Sequence, residues 1–587
     1  MFDMSIIMLQ EKSETLGVLR KQSDELHKAG RYEEALAVNR KIMELDDTDL
    51  HALNNVGSCL AESGRVGEAA NHYMQALMGS KSVDNRDVIG LMLSNFGSCL
   101  CRMGYVRQAY EAIKKAQEYI PSSSSMLVNL CACEQRMGKI GEAIMHGEEA
   151  LKLGEGNAQA WHNLSVAYRD AGQLEDSLRC INKALEIEPN QHESLSGKLL
   201  TMCYLGGYDP DKERSQINTV FEKLVGPKNK LVAYEHEKLR IGYVSADMRR
   251  HSVAYFLYPL FAHHDRKQFE IYAYYRWQGH DEITRKFVEK ADKWRDCGLM
   301  TSDELSAQIM SDEIDILVDL SGHTEGNALP VFKKRSAPIQ VSYLGYPLAT
   351  CLDEIDYRIS DEDVGEIPGE KTILLETTQW AYDPMLGGEP VRDKYPSENK
   401  TYGCFCNLPK INMGVLKVWA EILRREPKSR LILKSKGLDD PYVASRLRAS
   451  MLGVGLDTSR VELHGYNLKH SEHLDLYRHV DVALDTWPYN GTTTTCEAIA
   501  MGVPVVTMVT PNATGKTGLS LSKVSNGMVL VARDAEEYVQ LAISGQFGVT
   551  WDYSMIGRPL TLGERLTRCL EANLSVIAKR EKEKKGS

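Results

Sequence analysis

The chain has 587 residues, 43% of them hydrophobic and 26% charged, and a formal net charge of -11. That length exceeds one hydrophobic core, so several domains are expected, and the composition is that of a folded globular protein rather than a disordered one. The acidic balance excludes a nucleic-acid binder, whose phosphate contacts need a basic face.

No apolar run approaches the roughly 20 residues of a membrane-spanning helix. The short apolar patch in Met1 to Gln10 lacks the basic start and small-residue cleavage site of a secretion signal, so a cytoplasmic location is expected. The 13 cysteines agree with a reducing compartment: their number is odd, and a chain of this size needs no disulfide staples.

Residues 10 to 190 are self-similar at a 34-residue period. Ser23, Gly57, Gly97, Cys131 and Ser165 align at spacings of 34, 40, 34 and 34. Ala35, Ala69, Ala109, Ala143 and Ser177 follow twelve residues later, then Ile42, Ala76, Ala116, Ala150 and Ala184. Trp161-x-x-Leu164-Ser165-x-x-Tyr168 matches the signature of a tetratricopeptide repeat. Small residues at fixed positions let two antiparallel helices approach closely, while larger apolar residues fill the seam with the next unit. The longer spacing is assigned to a loop at Gly79 to Asp87. Such an array presents a concave surface suited to holding a protein, and copies could also associate through it. Residues 191–236 read as a helical cap and linker, broken at Gly206, Gly207 and Pro210.

Three Cys-x-Cys pairs imitate metal ligands. Cys99/Cys101 and Cys131/Cys133 fall on expected helices, where residues two apart point to nearly opposite sides. Cys404/Cys406 falls on an expected strand with no His or Cys cluster beside it. All six are expected to be structural.

From Leu239 the pattern becomes strand alternating with helix. Apolar strands are expected at Leu239 to Val244, Phe269 to Tyr274, Ile314 to Asp319 and Ile339 to Leu344. A second series is expected at Tyr402 to Asn407, Arg430 to Lys434, Val461 to Gly465, Val480 to Asp485 and Val503 to Met508. Short, continuous apolar strands separated by helices imply parallel sheets covered on both faces. The expected fold is therefore an α-helical tetratricopeptide-repeat superhelix (1–190), a linker (191–236), and an α/β region of two Rossmann-like domains (237–385 and 400–587). Ligand is expected between them at the carboxyl ends of the strands. The basic tail AKREKEKKGS reads as a frayed, solvated end.

Polar groups gather at those strand ends: His251 in SADMRRHS, His323 in SGHTEGN, Gly345-Tyr346-Pro347, Asn407 and Lys410 in FCNLPK, and Lys469, His470 and His473. The segment Asp481 to Pro504, DVALDTWPYNGTTTTCEAIAMGVP, reads as a strand, a turn on Pro488, Asn490 and Gly491, and a helix opening at Thr492, Thr493, Thr494 and Thr495. A helix start leaves amides unpaired and carries partial positive charge, which suits a phosphate. Glu497, one turn on, offers a carboxylate for ribose hydroxyls. The pattern points to a nucleotide-sugar.

These motifs in this order, repeats followed by LRIGYVSAD…H, VDLSGHTEGN, APIQVSYLGYP, FCNLPKI and DVALDTWPYNGTTTTCEAIAMGVPVVT, resemble the protein O-GlcNAc transferase family of inverting GT-B glycosyltransferases, including bacterial SPINDLY-like members. The resemblance implies transfer of a sugar, N-acetylglucosamine from UDP-GlcNAc, to Ser or Thr of a protein held by the repeats; flagellin would suit a bacterial chain. It implies that Lys410 neutralises the departing diphosphate and that Thr493 and Thr494 donate to the same phosphates. It places His473 beside uridine and ribose, Asn407 near the donor, and His251 and His323 at the cleft, with His251 considered for a base role. The animal enzymes carry a lysine where His470 stands, a histidine at Thr492 and an aspartate at Glu497, so that phosphate contact passes to Lys469, to His470 or to nothing.

No metal or other cofactor is expected beyond the nucleotide-sugar. Asp361-Glu362-Asp363 imitates a metal-binding D-x-D, and Gly515-Lys516-Thr517 imitates a P-loop ending whose upstream glycine is replaced by Thr510. Two alternatives stay open: a related transferase using GDP-fucose or UDP-glucose, and a non-catalytic repeat scaffold with a nucleotide-sugar-sensing domain.

Overall fold

The computed structural model describes the chain except for residues 1, 80–84, 122, 155, 232–233, 386–394, 396–398, 466–468, 545–558 and 587. It divides into two compact units, residues 1–164 with 298–301, and residues 165–297 with 302–587.

The first unit is a series of antiparallel helix pairs, among them Leu50–Glu62 with Val66–Gly79, Arg86–Arg102 with Val106–Ala116, and Ser124–Arg136 with Ile140–Leu153. The small residues sit where the helices touch. A β-carbon on Gly57 would lie 2.4 Å from the Tyr73 ring, and one on Gly97 would lie 2.5 Å from Ile113. Ala35, Ala69, Ala109 and Ala143 are wholly buried. Each helix pair turns on a left-handed glycine, Gly30, Gly64, Gly104 and Gly138. At each turn the following amide reaches back five residues, as in Arg31 to Leu26 and Tyr105 to Leu100. These glycines carry the same period as the alanines and give an independent signal of the repeat. The Cys99/Cys101 and Cys131/Cys133 thiols are buried in the seams. Most of the expected loop at Gly79 to Asp87 falls on 80–84, outside the described residues.

The second unit contains two parallel sheets. The first has the order β3-β2-β1-β4-β5-β6-β7, with β1 Leu239–Ser245, β2 Phe269–Tyr275, β3 Lys293–Asp296, β4 Ile316–Asp319, β5 Ile339–Ser342, β6 Tyr357–Asp361 and β7 Thr372–Leu375. The second has the order β10-β9-β8-β11-β12-β13, with β8 Thr401–Cys404, β9 Arg430–Lys434, β10 Val461–His464, β11 Val482–Leu484, β12 Val505–Met508 and β13 Val529–Ala532. The winding reverses between β1 and β4 in one sheet and between β8 and β11 in the other. Ligands of doubly wound sheets bind at such reversals, where adjacent loops part. The loops leaving these four strands are SADMRRHS, SGHTEGN, FCNLPK and DTWPYNG.

Several expectations need correction. Strand β8 ends at Cys404, so Cys406 lies in the loop beyond it. The helical cap and linker expected over 191–236 contains two helices, His192–Leu205 and Pro210–Val225, which belong to the second unit. Cys203 clusters with Tyr346 and Leu348, and the Asn218 amide donates to the Cys351 carbonyl at 2.9 Å. The C-terminal helix Pro559–Gly586 does not stay with the second sheet. Its Leu566, Leu570, Leu574 and Ile577 enter the core beneath the first sheet. His264 bonds both Glu571 (2.9 Å) and the Tyr243 hydroxyl (2.8 Å). The tail read as frayed is helical to Gly586, and Glu581 accepts from the Tyr357 hydroxyl at 3.2 Å.

A chain starting at residue 157 is expected to keep the second unit cooperatively folded. One starting at residue 227 strips Cys203, Tyr204 and Phe221 from their partners, and at about 1.5–3 kcal/mol for each buried apolar side chain it should aggregate or melt well below the longer form. Thermal denaturation of the two chains checks this; equal midpoints would show that the two helices do not hold the unit together.

Candidate functional site

Strand β8 delivers Phe405 to Lys410 at the reversal of the second sheet, and a short 3-10 turn, Leu408–Lys410, aims the lysine across it. The Lys410 ammonium donates to the Asn490 carbonyl at 2.6 Å and lies 3.8 Å from the centre of the Tyr489 ring. Among the described residues it has no carboxylate partner. Burial lowers its pKa, opposed by Cys406 and Asp485 nearby. The tyrosine face is a weak substitute for a counter-ion, worth about 0.5–2 kcal/mol, so the site holds a cation that an arriving anion would neutralise.

The turn opposite is built by Asp485. Its carboxylate accepts from the Gly491 amide (2.6 Å), the Thr486 amide (2.8 Å) and the Thr507 hydroxyl (2.6 Å). Burial, with Cys406 nearby, pushes its pKa up to about 7. Gly491 has no room for a side chain, because a β-carbon would lie 2.4 Å from the Thr494 hydroxyl. The helix Thr493–Ala500 then opens with no side-chain cap from Thr492. The Thr494 hydroxyl is 3.3 Å from the Cys406 sulfur. Cys406, expected to be merely structural, therefore borders the site, and hydrogen bonding from Cys404 holds its pKa down.

A third cluster surrounds Glu497. This carboxylate is buried and bonded to His473 Nε2 at 2.8 Å, with the Tyr477 hydroxyl at 3.5 Å. Burial alone would raise its pKa; His473, with His470 and Lys434, holds it below the ordinary value. His470 stacks on Tyr255 with ring centres 4.9 Å apart and on His473 at 5.8 Å. Tyr255 belongs to the helix Ser252–His263 of the first sheet domain, so this stack joins the two domains. His470 Nε2 and His473 Nδ1 are both buried without a hydrogen-bond partner. His251 caps that same helix: its Nδ1 accepts from the Val253 amide at 3.3 Å and lies 3.5 Å from Asp247, with the side chain 41% exposed.

The remaining expected residues divide. Asn407 is exposed at the start of the lysine turn, and Lys469 is exposed ahead of the helix His470–Asp475. Asn490 is wholly buried and its amide donates to the Thr486 carbonyl at 2.7 Å, so it presents only its main-chain oxygen, to Lys410. The Gly491 amide is spent on Asp485. The Glu497 side chain is given to His473 and Tyr477 rather than left open for ribose. Gly345 passes so close to Leu320 that a β-carbon would lie 2.0 Å from its carbonyl oxygen. Tyr346 is buried beside Cys203, and Pro347 continues that segment. His323 is corrected most clearly. Its Nδ1 pairs with the Ser196 hydroxyl (3.0 Å) and its Nε2 with the Thr350 carbonyl (2.8 Å), so neither nitrogen is free for catalysis.

Both imitation motifs are accounted for by hydrogen bonds within the protein. Asp361 accepts from the amides of Asp363, Val364 and Gln379 and from the Ser520 hydroxyl (2.8 Å), which fills its carboxylate. Lys516 donates to the Val364 carbonyl at 3.2 Å. The D-x-D and the P-loop-like ending thus meet each other and join the two sheet domains. Sequence reasoning missed Asp485, Tyr489, Tyr255, Tyr204 and Tyr477. Asp485 and Tyr489 lie inside a motif already singled out; the others carry no local signal.

The chain matches the model of Glycosyl transferase family 41 over residues 216–371 and 390–557, and that of a tetratricopeptide repeat over 122–190. It is 30% identical to a mutant of the Thermobaculum terrenum O-GlcNAc transferase, whose structure superposes with a TM-score of 0.77 over 86% of this chain and 99% of that one. It is 35% identical over 413 residues to the "probable UDP-N-acetylglucosamine–peptide N-acetylglucosaminyltransferase SPINDLY" of Solanum lycopersicum, covering 66% of this chain and 44% of that protein. With the corresponding protein SEC of Arabidopsis thaliana it shares 30% identity over 328 residues, 52% of this chain and 33% of the other. The chain thus spans less than half the length of these curated relatives. It belongs to glycosyl transferase family 41, with a tetratricopeptide-repeat region ahead of two GT-B sheet domains.

His323 gives the site's environment a measurable pH signature. Burial pushes its pKa down to about 4, against about 6.5 in an unfolded chain. Between these values the unfolded chain binds the proton first, so stability falls as pH drops, by up to about 1.4 kcal/mol per unit, and is unaffected by this residue above pH 7. Denaturant titrations at several pH values should show a shallower acid slope for His323→Gln than for the parent; identical slopes would mean the ring is solvated.

Proposed function

We propose that this chain is an inverting protein O-glycosyltransferase that moves a sugar, N-acetylglucosamine from UDP-GlcNAc, onto Ser or Thr of a protein held by the repeats. The names of the relatives support the donor and the acceptor class. The observation that carries the reading is Lys410, a half-buried ammonium with no carboxylate partner among the described residues, beside the start of the helix Thr493–Ala500, which Thr492 does not cap. In an inverting transfer the acceptor hydroxyl attacks the anomeric carbon in line with the leaving diphosphate. The new glycosidic bond forms as the old carbon–oxygen bond breaks, its electron pair leaves on the diphosphate, and the hydroxyl proton passes to solvent. Negative charge therefore grows on the phosphate oxygens, where Lys410 and the amides of Thr493 and Thr494 meet it without reorganising.

The stacked rings of His473 and His470, with their unpartnered nitrogens, suit the nucleoside, and Glu497 orients His473. His251 faces the open side. Because its Nδ1 accepts from the Val253 amide, the neutral ring carries its proton on Nε2. That form donates a hydrogen bond to the sugar or acceptor rather than removing a proton. With the Asp361 carboxylate filled, the charge on the diphosphate is met by Lys410 and the helix start, and no metal is required.

Lys410→Ala should keep the circular dichroism and melting behaviour of the parent and lower transfer about 10²–10³-fold, as loss of a well-placed charge donor does. Activity within a few-fold of the parent would refute the assignment. A thermal-shift panel of UDP-GlcNAc, UDP-glucose and GDP-fucose identifies the donor, since the bound nucleotide-sugar stabilises the fold. Transfer is expected to persist in excess EDTA; complete loss restored by manganese or magnesium would overturn the metal-free reading. Removing residues 1–156 should spare donor binding and weaken transfer to intact proteins, and undiminished transfer would show that the repeats do not hold the acceptor.

A further inference from the structure

We propose that Tyr204, on the last turn of the helix His192–Leu205, is a positioning residue for Lys410, acting through the ring of Tyr489. The inference rests on the assignment of Lys410 to the leaving diphosphate. Two groups hold the lysine, the Asn490 carbonyl at 2.6 Å and the Tyr489 ring at 3.8 Å, and both belong to one turn. The Tyr489 ring in turn stacks on Tyr204, with centres 5.3 Å apart and planes inclined by 28°. The Tyr489 ring thus contacts both the ammonium and the Tyr204 ring, which links the two.

The helix that supplies Tyr204 is fixed to both sheet domains. Ser196 bonds His323 in the first, and the Tyr208 hydroxyl just beyond the helix donates to the Ala349 carbonyl at 2.7 Å. Against the second, the Gly206 carbonyl accepts from the Asn512 amide at 3.0 Å. Gly206, in the left-handed conformation that ends the helix, presses on Pro488, where a β-carbon would lie 3.3 Å from the proline ring. The chain therefore leaves the helix directly against the turn that carries Tyr489 and Asn490. This arrangement fixes the height and direction of the lysine without a carboxylate, which would compete with the diphosphate for it. It also connects the catalytic cation to the helices that precede the sheets: the turn at Gly172 packs on Leu408, two residues before Lys410.

The consequence is a change in chemistry rather than in fold. An electron-rich face favours the charged form of a lysine, whereas burial lowers the pKa of Lys410. The other titratable or charged groups around the lysine are Cys404, Cys406, Asp485 and Cys203, with Arg358 facing Tyr489, and Arg169 and Asp170 near Tyr204. If Tyr489 loses its backing ring it leaves the lysine, the cation is less favoured, and its proton is lost at lower pH.

The test compares Tyr204→Phe, Tyr204→Leu and Tyr204→Met, the last two filling much of the space without an aromatic face. Phe should stay within about twofold of the parent. Leu and Met should lower kcat about tenfold, the equivalent of ~1.4 kcal/mol of barrier, move the alkaline limb of the kcat–pH profile to lower pH, and leave the donor KM nearly unchanged. If Leu destabilises the fold, Met carries the test. A loss confined to melting temperature or to KM, or an unmoved alkaline limb, would show that Tyr204 only fills space. Lys410→Met is the control: if it remains active, the assignment of Lys410 has failed, whereas an inactive Lys410→Met beside fully active Leu and Met variants at Tyr204 overturns the positioning alone.

Discussion

The arrangement turns on one unusual interaction, a half-buried lysine ammonium held by a carbonyl and an aromatic face instead of a carboxylate. A paired lysine would be more comfortable in the resting protein, but in the proposed reaction its partner would have to be displaced before the diphosphate could be met. The cost of keeping Lys410 unpaired falls on its surroundings. Asp485 is near enough to favour the cation, yet spends its oxygens on Gly491, Thr486 and Thr507. That carboxylate builds the turn, the turn presents Tyr489 and Asn490, and these hold the lysine beside the open end of the helix Thr493–Ala500. A strained preference at one atom is thus supported by ordinary, well-satisfied hydrogen bonding around it, as expected where function departs from maximal stability.

Two false motifs show why residue types must be read in their place in the fold. A D-x-D can hold a metal only if its oxygens are free, and those of Asp361 are filled by three amides and a hydroxyl. A lysine after a glycine marks a phosphate loop only if it points into an empty cradle, whereas Lys516 ends on the Val364 carbonyl. Together they form a seam between the two sheet domains, with Thr378 and Ser520 sharing a hydrogen bond of 2.7 Å. The second seam is the stack of Tyr255 on His470. Lys410 follows β8 and the helix Thr493–Ala500 follows β11, the two strands at the reversal of the second sheet.

Much of the fold could be read from the chain, and the failures share a cause. All nine strands expected from continuous apolar runs are present, because a strand buried on both faces in a parallel sheet must be apolar along its length. The strands missed are β3, β7 and β13, which lie at sheet edges with one neighbour each, and β6, whose buried Arg358 interrupts the apolar pattern. The two terminal nitrogens of that arginine donate inside to the carbonyls of Leu348 and Tyr346 and to Ser342, partners no local pattern reveals. At the site, the lysine turn and the threonine helix were legible because each is a short contiguous segment. His323 was misplaced because a histidine after a strand end looks the same whether it faces a ligand or is pinned by a hydroxyl 127 positions away. Tyr204 and Tyr489 meet only through the folding of the linker helix onto the second domain.

The central claim is that Lys410 is a cation waiting for a diphosphate, and calorimetry of binding addresses it most directly. Titrating UDP and uridine into the parent and into Lys410→Met at neutral and alkaline pH, in buffers of different ionisation enthalpy, separates recognition of the nucleoside from recognition of charge. The account predicts that both proteins bind uridine alike, that only the parent gains strongly from the diphosphate, and that at alkaline pH the parent takes up protons as the lysine is recharged. Equal affinity of the two proteins for UDP, or the same proton uptake in Lys410→Met, would contradict it.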